Sequence, residues 1–147
     1  MTIKSFRGMM ADAAIDTIHL ATRDGSTGYR ITKFEMMAEA TGTFDHGFIM
    51  KIFKVPQTTA TALVDFSDNT MLAAGYTANH ESIQYANIQQ IVFDNEIFNQ
   101  DIYITCKDIE TGQNCNYYIE LEQMKLDLNE NTVATLKDIR NIEASSV

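Results

Sequence analysis

The sequence has no tryptophan, one proline (Pro56) and two cysteines, Cys106 and Cys115, in 147 residues. Without tryptophan there is no indole platform of the kind that stacks on sugar rings. Two cysteines cannot make a disulfide scaffold. None is needed, since a chain of this length buries roughly 70% of its unfolded surface on folding. Basic residues are also scarce: eleven Lys and Arg stand against twenty Asp and Glu, a net charge of −9 spread without an acidic block. That balance argues against nucleic acid and against an anionic membrane surface as direct partners, because both demand a basic footprint. No apolar run reaches the length of a membrane span, the first ten residues carry no apolar signal core, and no Asn-x-Ser/Thr sequon occurs. The expectation is a protein made in a cytoplasm and not exported by the usual route.

Catalytic signatures are missing as well. Gly25-Ser26-Thr27-Gly28 is too short for a phosphate-binding loop and has no lysine in place. There is no nucleophile elbow, no His-Glu-x-x-His helix and no Cys-x-x-Cys pair. His19, His46 and His80 are scattered without metal-ligand spacing. With no nucleophile, base or cofactor loop to name, the reading is of a protein that is not an enzyme and takes no cofactor. Oxygen ligands for a hard cation could gather from Asp65, Asp68 and Asn69 with Asp94, Asn95 and Glu96, although these residue types are also the commonest turn and cap formers.

What the sequence does have is period-2 alternation. Residues 97–107 and 115–121 read as two strands folding back over 108–114, where Gly112 and Asn114 can supply a positive φ. A symmetric reversal pairs Cys106 with Cys115, Ile104 with Tyr117 and Ile102 with Ile119, giving one apolar face. The two thiols then allow either a bridge or two small core side chains. Beyond Leu121 the apolar positions move to Met124, Leu126 and Leu128, which predicts a bulge or a break near Glu122 and Gln123.

Earlier in the chain, residues 1–14 read as an N-terminal arm or an edge strand. Residues 16–22 alternate, and 23–28 make a turn. Strand 29–38 changes apolar phase from Tyr29 and Ile31 to Phe34 and Met36, as a bulge would cause. Residues 48–55 are apolar on both faces, as in a central strand, until Pro56. Residues 61–66 read as a short strand, 70–76 as one or two helical turns behind an Asp/Asn cap, 78–87 as a loop and 88–93 as a strand. At the end Val133, Leu136 and Ile139 recur at helical spacing, which predicts a short amphipathic helix over 130–141. The fold class is thus all-β, an antiparallel β-sandwich of jelly-roll type over 15–128, with one short C-terminal helix in 129–147. The expected protein-contact residues are Ile3, Phe6, Met9 and Met10 at one end and Val133, Leu136 and Ile139 at the other.

Several phrases carry a resemblance: Gly28-Tyr-Arg-Ile-Thr-Lys-Phe-Glu-Met36, Val64-Asp-Phe-Ser-Asp-Asn-Thr-Met-Leu-Ala-Ala74, Ile91-Val-Phe-Asp-Asn-Glu-Ile-Phe-Asn-Gln-Asp-Ile-Tyr103, and Asn116-Tyr-Tyr-Ile-Glu-Leu-Glu122 through Thr132-Val-Ala-Thr-Leu-Lys-Asp-Ile-Arg-Asn141. Together they resemble small virion-associated structural proteins of marine tailed bacteriophages. The resemblance implies a protein of the virion, assembled in the host cytoplasm, that decorates or cements the capsid. Its implied partners are the major capsid protein or other virion proteins, with self-association into a homo-oligomer. A tail or appendage component, including a carbohydrate-binding module with Phe44, Tyr76 and Tyr85 in its loops, is the alternative. No catalytic, cofactor or metal residue is implied.

Overall fold

The computed structural model describes residues 2–40, 45–79, 88–110 and 112–127, and all structural statements concern these residues. They form eight strands: β1 (Thr2–Met10), β2 (Ile15–Ile18), β3 (Thr27–Ala38), β4 (His46–Phe53), β5 (Met71–Asn79), β6 (Ile88–Phe93), β7 (Ile102–Asp108) and β8 (Cys115–Lys125). Two antiparallel sheets result, a small one ordered β1-β8-β3 and a large one ordered β2-β7-β4-β5-β6. First pairs with last, second with seventh and fourth with fifth. This nesting is the strand order of a jelly roll.

The nested order would put β6 beside β3, but β6 instead folds back on β5. The vacant side of β3 is held in two other ways. Phe98 makes an isolated antiparallel bridge with Tyr29, exchanging N–H···O bonds of 2.8 and 2.9 Å, and the two rings stack at 6.3 Å. Across the seam, the Gln89 side-chain amide donates to the Met36 carbonyl at 3.2 Å. The expected strand over 97–107 is therefore two pieces, one touching the small sheet at Phe98 and one, β7, inside the large sheet.

The expected hairpin of β7 and β8 does not form. β7 pairs with β2 and β4, whereas β8 pairs with β1 and β3, so residues 108–114 arch from one sheet to the other. Alternation reports which side of a strand is buried. It is silent on whether two such strands lie side by side or face each other across a core. Here they face: Ile102, Ile104 and Cys106 of β7 and Cys115, Tyr117, Ile119 and Leu121 of β8 enter one core with Phe34, Phe48 and Phe98. Both cysteines are free thiols.

Polar groups shape the arch. The Asp108 carboxylate accepts the backbone N–H groups of Gly47 (3.1 Å), Glu110 (3.0 Å) and Gln113 (2.8 Å). Asp12 accepts the N–H of Asp108 itself at 2.8 Å. Gly112 sits at φ 73°, a left-handed conformation that costs a residue without a Cβ little.

Other expectations fared differently. The phase change in β3 is a bulge, with the register to β8 shifting between Ile31 and Lys33 so that Ile31 and Phe34 both point inward. No bulge occurs near Glu122: β8 runs unbroken to Lys125, the irregularity lies in its partner, and Leu126 is buried just beyond the strand. The segment expected to be helical is β5, because Asp68 caps a turn that leads into a strand, and the same side-chain-to-backbone bonds serve either start. Residues 61–66 form no strand. The 1–14 alternatives resolve for residues 2–10 as edge strand β1. The expected helix over 130–141 lies outside the described residues.

β4 is buried on both faces, as its sequence requires. Opposite its centre β5 presents Ala73 and Gly75, whose small size lets the Phe34 and Met36 side chains of β3 fill the layer. A Cβ on Gly75 would collide with the Met36 sulfur and lie 3.2 Å from the Phe34 ring. Gly75→Val should cost about 1–3 kcal/mol through overpacking. The measurement is the urea midpoint at constant m-value, and an unchanged midpoint would contradict this packing.

Candidate interaction surfaces

The outer face of the large sheet is where the chain does something its strands alone do not require. Alternation sends Ile49, Lys51 and Phe53 of β4 outward, away from the main core, yet all three are buried. Residues 54–70 cross over them. Lys51 fastens this crossing: only 5% exposed, it donates from Nζ to the Leu63 carbonyl at 2.6 Å and to the Thr61 hydroxyl at 3.0 Å. Its ammonium also stands 5.5 Å from the centre of the Phe53 ring. Burial lowers the lysine pKa, and the charge of Asp68 opposes that shift. A second tie is the Lys54–Glu96 ion pair at 2.9 Å, with the lysine side chain almost wholly buried.

Beside this crossing lies an apolar groove of about 920 Å³. Ala62, Val64 and Phe66 form one wall, while Tyr76 of β5, Val92 of β6 and Ile109 after β7 contribute to the rest. Phe66 is 69% exposed, Val92 54% and Ile109 51%. Among the described residues these side chains make a contiguous exposed apolar patch on a chain of net charge −9. Of these residues the sequence suggested only Tyr76, as a loop aromatic, and it lies in strand β5 instead. The groove's signal was present in the alternation of Ala62, Val64 and Phe66, which was assigned to a strand.

The nominated residues divide by strand parity. Ile3 and Met9 lie on the outer face of the small sheet, 43% and 51% exposed. Phe6 is partly buried and packs against the core, and Met10 is buried at 2%, so both help to stabilise the sandwich. Val133, Leu136 and Ile139 lie outside the described residues, as do Phe44, Tyr85 and His80.

Four of the six oxygen-bearing residues singled out in the sequence converge. Asp68, Asn69, Asp94 and Glu96 line one cleft of about 520 Å³ with Phe66 and Phe93. Each carboxylate that the strand ends bring there has local work, however. Asp68 accepts from the N–H and hydroxyl of Thr70 (2.9 and 2.6 Å), and Asp94 accepts the N–H of Asn95 at 2.6 Å; Asp65, outside the cleft lining, accepts from the N–H and hydroxyl of Ser67 (2.9 and 2.6 Å). Glu96 holds Lys54. Among the described residues no group of three His, Cys, Asp or Glu side chains is arranged to hold a metal ion.

Two further polar sites are structural in geometry. Asp101 accepts the N–H groups of Leu20 and Ala21, both at 2.8 Å, and lies 3.3 Å from Nδ1 of the exposed His19. Burial pushes its pKa up, but the two backbone bonds and His19 outweigh that and hold the carboxyl below its ordinary value. His46 is buried and stacks on Phe48 at 5.1 Å.

No family model, curated protein or solved structure matches the chain.

The thiols offer a direct check on the core. Desolvation, reinforced by nearby carboxylates at Cys106, pushes both pKa values up to about 12, so neither is a nucleophile at neutral pH. Native protein at pH 8 should leave both unreacted with a disulfide reagent, and both should titrate once it is denatured. Rapid native labelling of either would place it elsewhere.

Asp101 allows a pH test. A carboxyl whose folded pKa is depressed contributes stability above its unfolded value and loses it as pH falls through the folded one. Asp101→Asn should therefore be less stable than the parent by about 1 kcal/mol at pH 7, through loss of charge-assisted bonds. The gap should narrow as the pH falls below the ordinary carboxyl value of 3.8 and Asp101 takes up its proton. Chemical denaturation above and below that value measures both.

Proposed function

We propose that the chain is a non-enzymatic structural protein of a tailed-phage virion, decorating or cementing the capsid through protein–protein contacts. The observation that carries a contact role is the apolar groove walled by Val64, Phe66, Val92 and Ile109. The virion setting follows from the resemblance of its sequence phrases to virion-associated proteins. A rigid sandwich held by nested strand pairs suits a component that must present such a patch unchanged in many copies. Its acidic surface keeps unassembled copies soluble and leaves binding to short-range apolar contact. The partner is the major capsid protein or another virion protein.

The alternative is a tail or appendage component that binds carbohydrate. One feature favours it: the 520 Å³ cleft sets Phe66 and Phe93 beside Asp68 and Asp94, an aromatic surface next to hydrogen-bond acceptors.

Quantitative mass spectrometry of purified virions tests the reading. Copies on the order of the major capsid protein support a shell component, a handful of copies supports the alternative, and absence refutes both. Phe66→Asp combined with Val92→Asp, both at exposed positions, should preserve the circular dichroism spectrum and thermal midpoint while reducing incorporation at least tenfold. Normal incorporation would remove the groove from the contact.

A further inference from the structure

The free edge of the small sheet is a different surface from the groove. β1 closes that sheet, its nine residues pairing with β8 on one side only, and among the described residues no strand covers the other side. A long edge with open N–H and C=O groups is a template for a further strand. Edges that must stay single are commonly short, bulged or broken by proline. β1 is none of these.

We propose that β1 pairs antiparallel with β1 of a second copy about a two-fold axis through Phe6, joining two three-stranded sheets into one of six strands. The commitment to a second copy comes from what the two-fold permits. For the inner faces of both sheets to stay on one side, the axis must pass through a residue position and not between two. Centred on Arg7, the strands would set Arg7 against Arg7; centred on Lys4, Lys4 against Lys4. Centred on Ser5, Lys4 would lie against Phe6 and Ile3 against Arg7. Only the Phe6 register uses all nine residues and avoids every such conflict.

In that register each exposed apolar residue finds a partner. Ile3 of one copy faces Met9 of the other, twice by symmetry, covering the two hydrophobic side chains that β1 leaves on the outer face. Arg7 faces Ser5. Phe6 meets Phe6, extending the core across the axis. Lys4, whose inward parity at an edge would otherwise obstruct pairing, faces Gly8, the one position in β1 without a side chain, above which stands the Tyr117 ring. An isologous contact needs the patch to complement its own rotated copy, and this strand does so at every position.

The inference does not rest on a virion role, because purified full-length chain is enough to test it. Sedimentation equilibrium should give a dimer. Within one strand residues 3 and 9 are roughly 20 Å apart, and so are two copies of either residue across the axis, whereas 3 and 9 of opposite copies lie about 5 Å apart. Ile3→Cys combined with Met9→Cys should thus form covalent dimers on mild oxidation, while each single variant and the parent should not. A monomer at all concentrations, crosslinking by either single variant, or a dimer that the double variant fails to link would each overturn the proposal. Loss of virion incorporation with an intact dimer would count against the function proposed above and leave this one standing.

Discussion

The arch between β7 and β8 depends on one buried carboxylate. Asp108 gathers three backbone N–H groups, two from the arch and one from the second residue of β4. Each is a charge-assisted bond to a buried carboxylate, and removing it would take the acceptor from three donors at once. The bonds end β7, turn the chain through the thickness of the molecule, and fix where β4 begins. Once β7 and β8 lie in opposite sheets, the remaining pairings are constrained. β1 and β2 flank β8 and β7 on one side, and β3 and β4 flank them on the other, so the chain winds as a doubled ribbon. Asp12, bonding to the Asp108 N–H from the β1–β2 connection, ties the two outer strands to the same corner.

The winding stops short at β6. A complete roll would set β6 beside β3, and the small sheet would then have four strands. Instead β6 extends the large sheet, and Phe98 and Gln89 stitch the open seam. The consequence is a large sheet wider than the small one. Its outer face is broad enough to need covering, and residues 54–70 cover part of it. Lys51 makes that possible, because a lysine at the centre of a buried strand must bring its own acceptors, and the crossing segment provides a carbonyl and a hydroxyl. The uncovered remainder is the apolar groove.

How far the sequence foretold this depends on which property each residue's pattern encodes. Alternation encodes a buried side, and the inward sets Ile102, Ile104, Cys106 and Cys115, Tyr117, Ile119 were legible from it. The bulge in β3 was legible because a shift of apolar phase has few other causes. Pairing partners were not legible, because an inward face satisfies the same pattern whether its neighbour is bonded beside it or packed ten ångströms away. The segment 61–66 misled for a related reason: Ala62, Val64 and Phe66 do share a side, but they rest against a sheet instead of joining one. Lys51 was readable only as an anomaly in an apolar strand. Asp68, Asp94 and Glu96 do meet in space, yet Asp68 and Asp94 bond their own backbone and Glu96 is held by Lys54.

A fold of this type hosts many functions, so the functional argument has to come from surfaces. Three are distinct in kind. The cleft near Asp94 is mixed, aromatic and aliphatic side chains standing beside carboxylates that bond their own turns. The groove over the large sheet is apolar and side-chain-made, so a partner there would be selected by shape and burial. The β1 edge is made of backbone, and its selectivity rests on which side chains face one another in a given register. Because edge and groove lie on different sheets, occupying one leaves the other open. A copy bound to its own kind through β1 would still present Phe66 and Val92 to a different partner, and a dimer would present that patch twice. Two weak contacts on one rigid dimer bind far more tightly than either alone when their spacing matches the target lattice. In the proposed virion setting a repeating shell would supply such a lattice, and the two surfaces would then act together on one small protein.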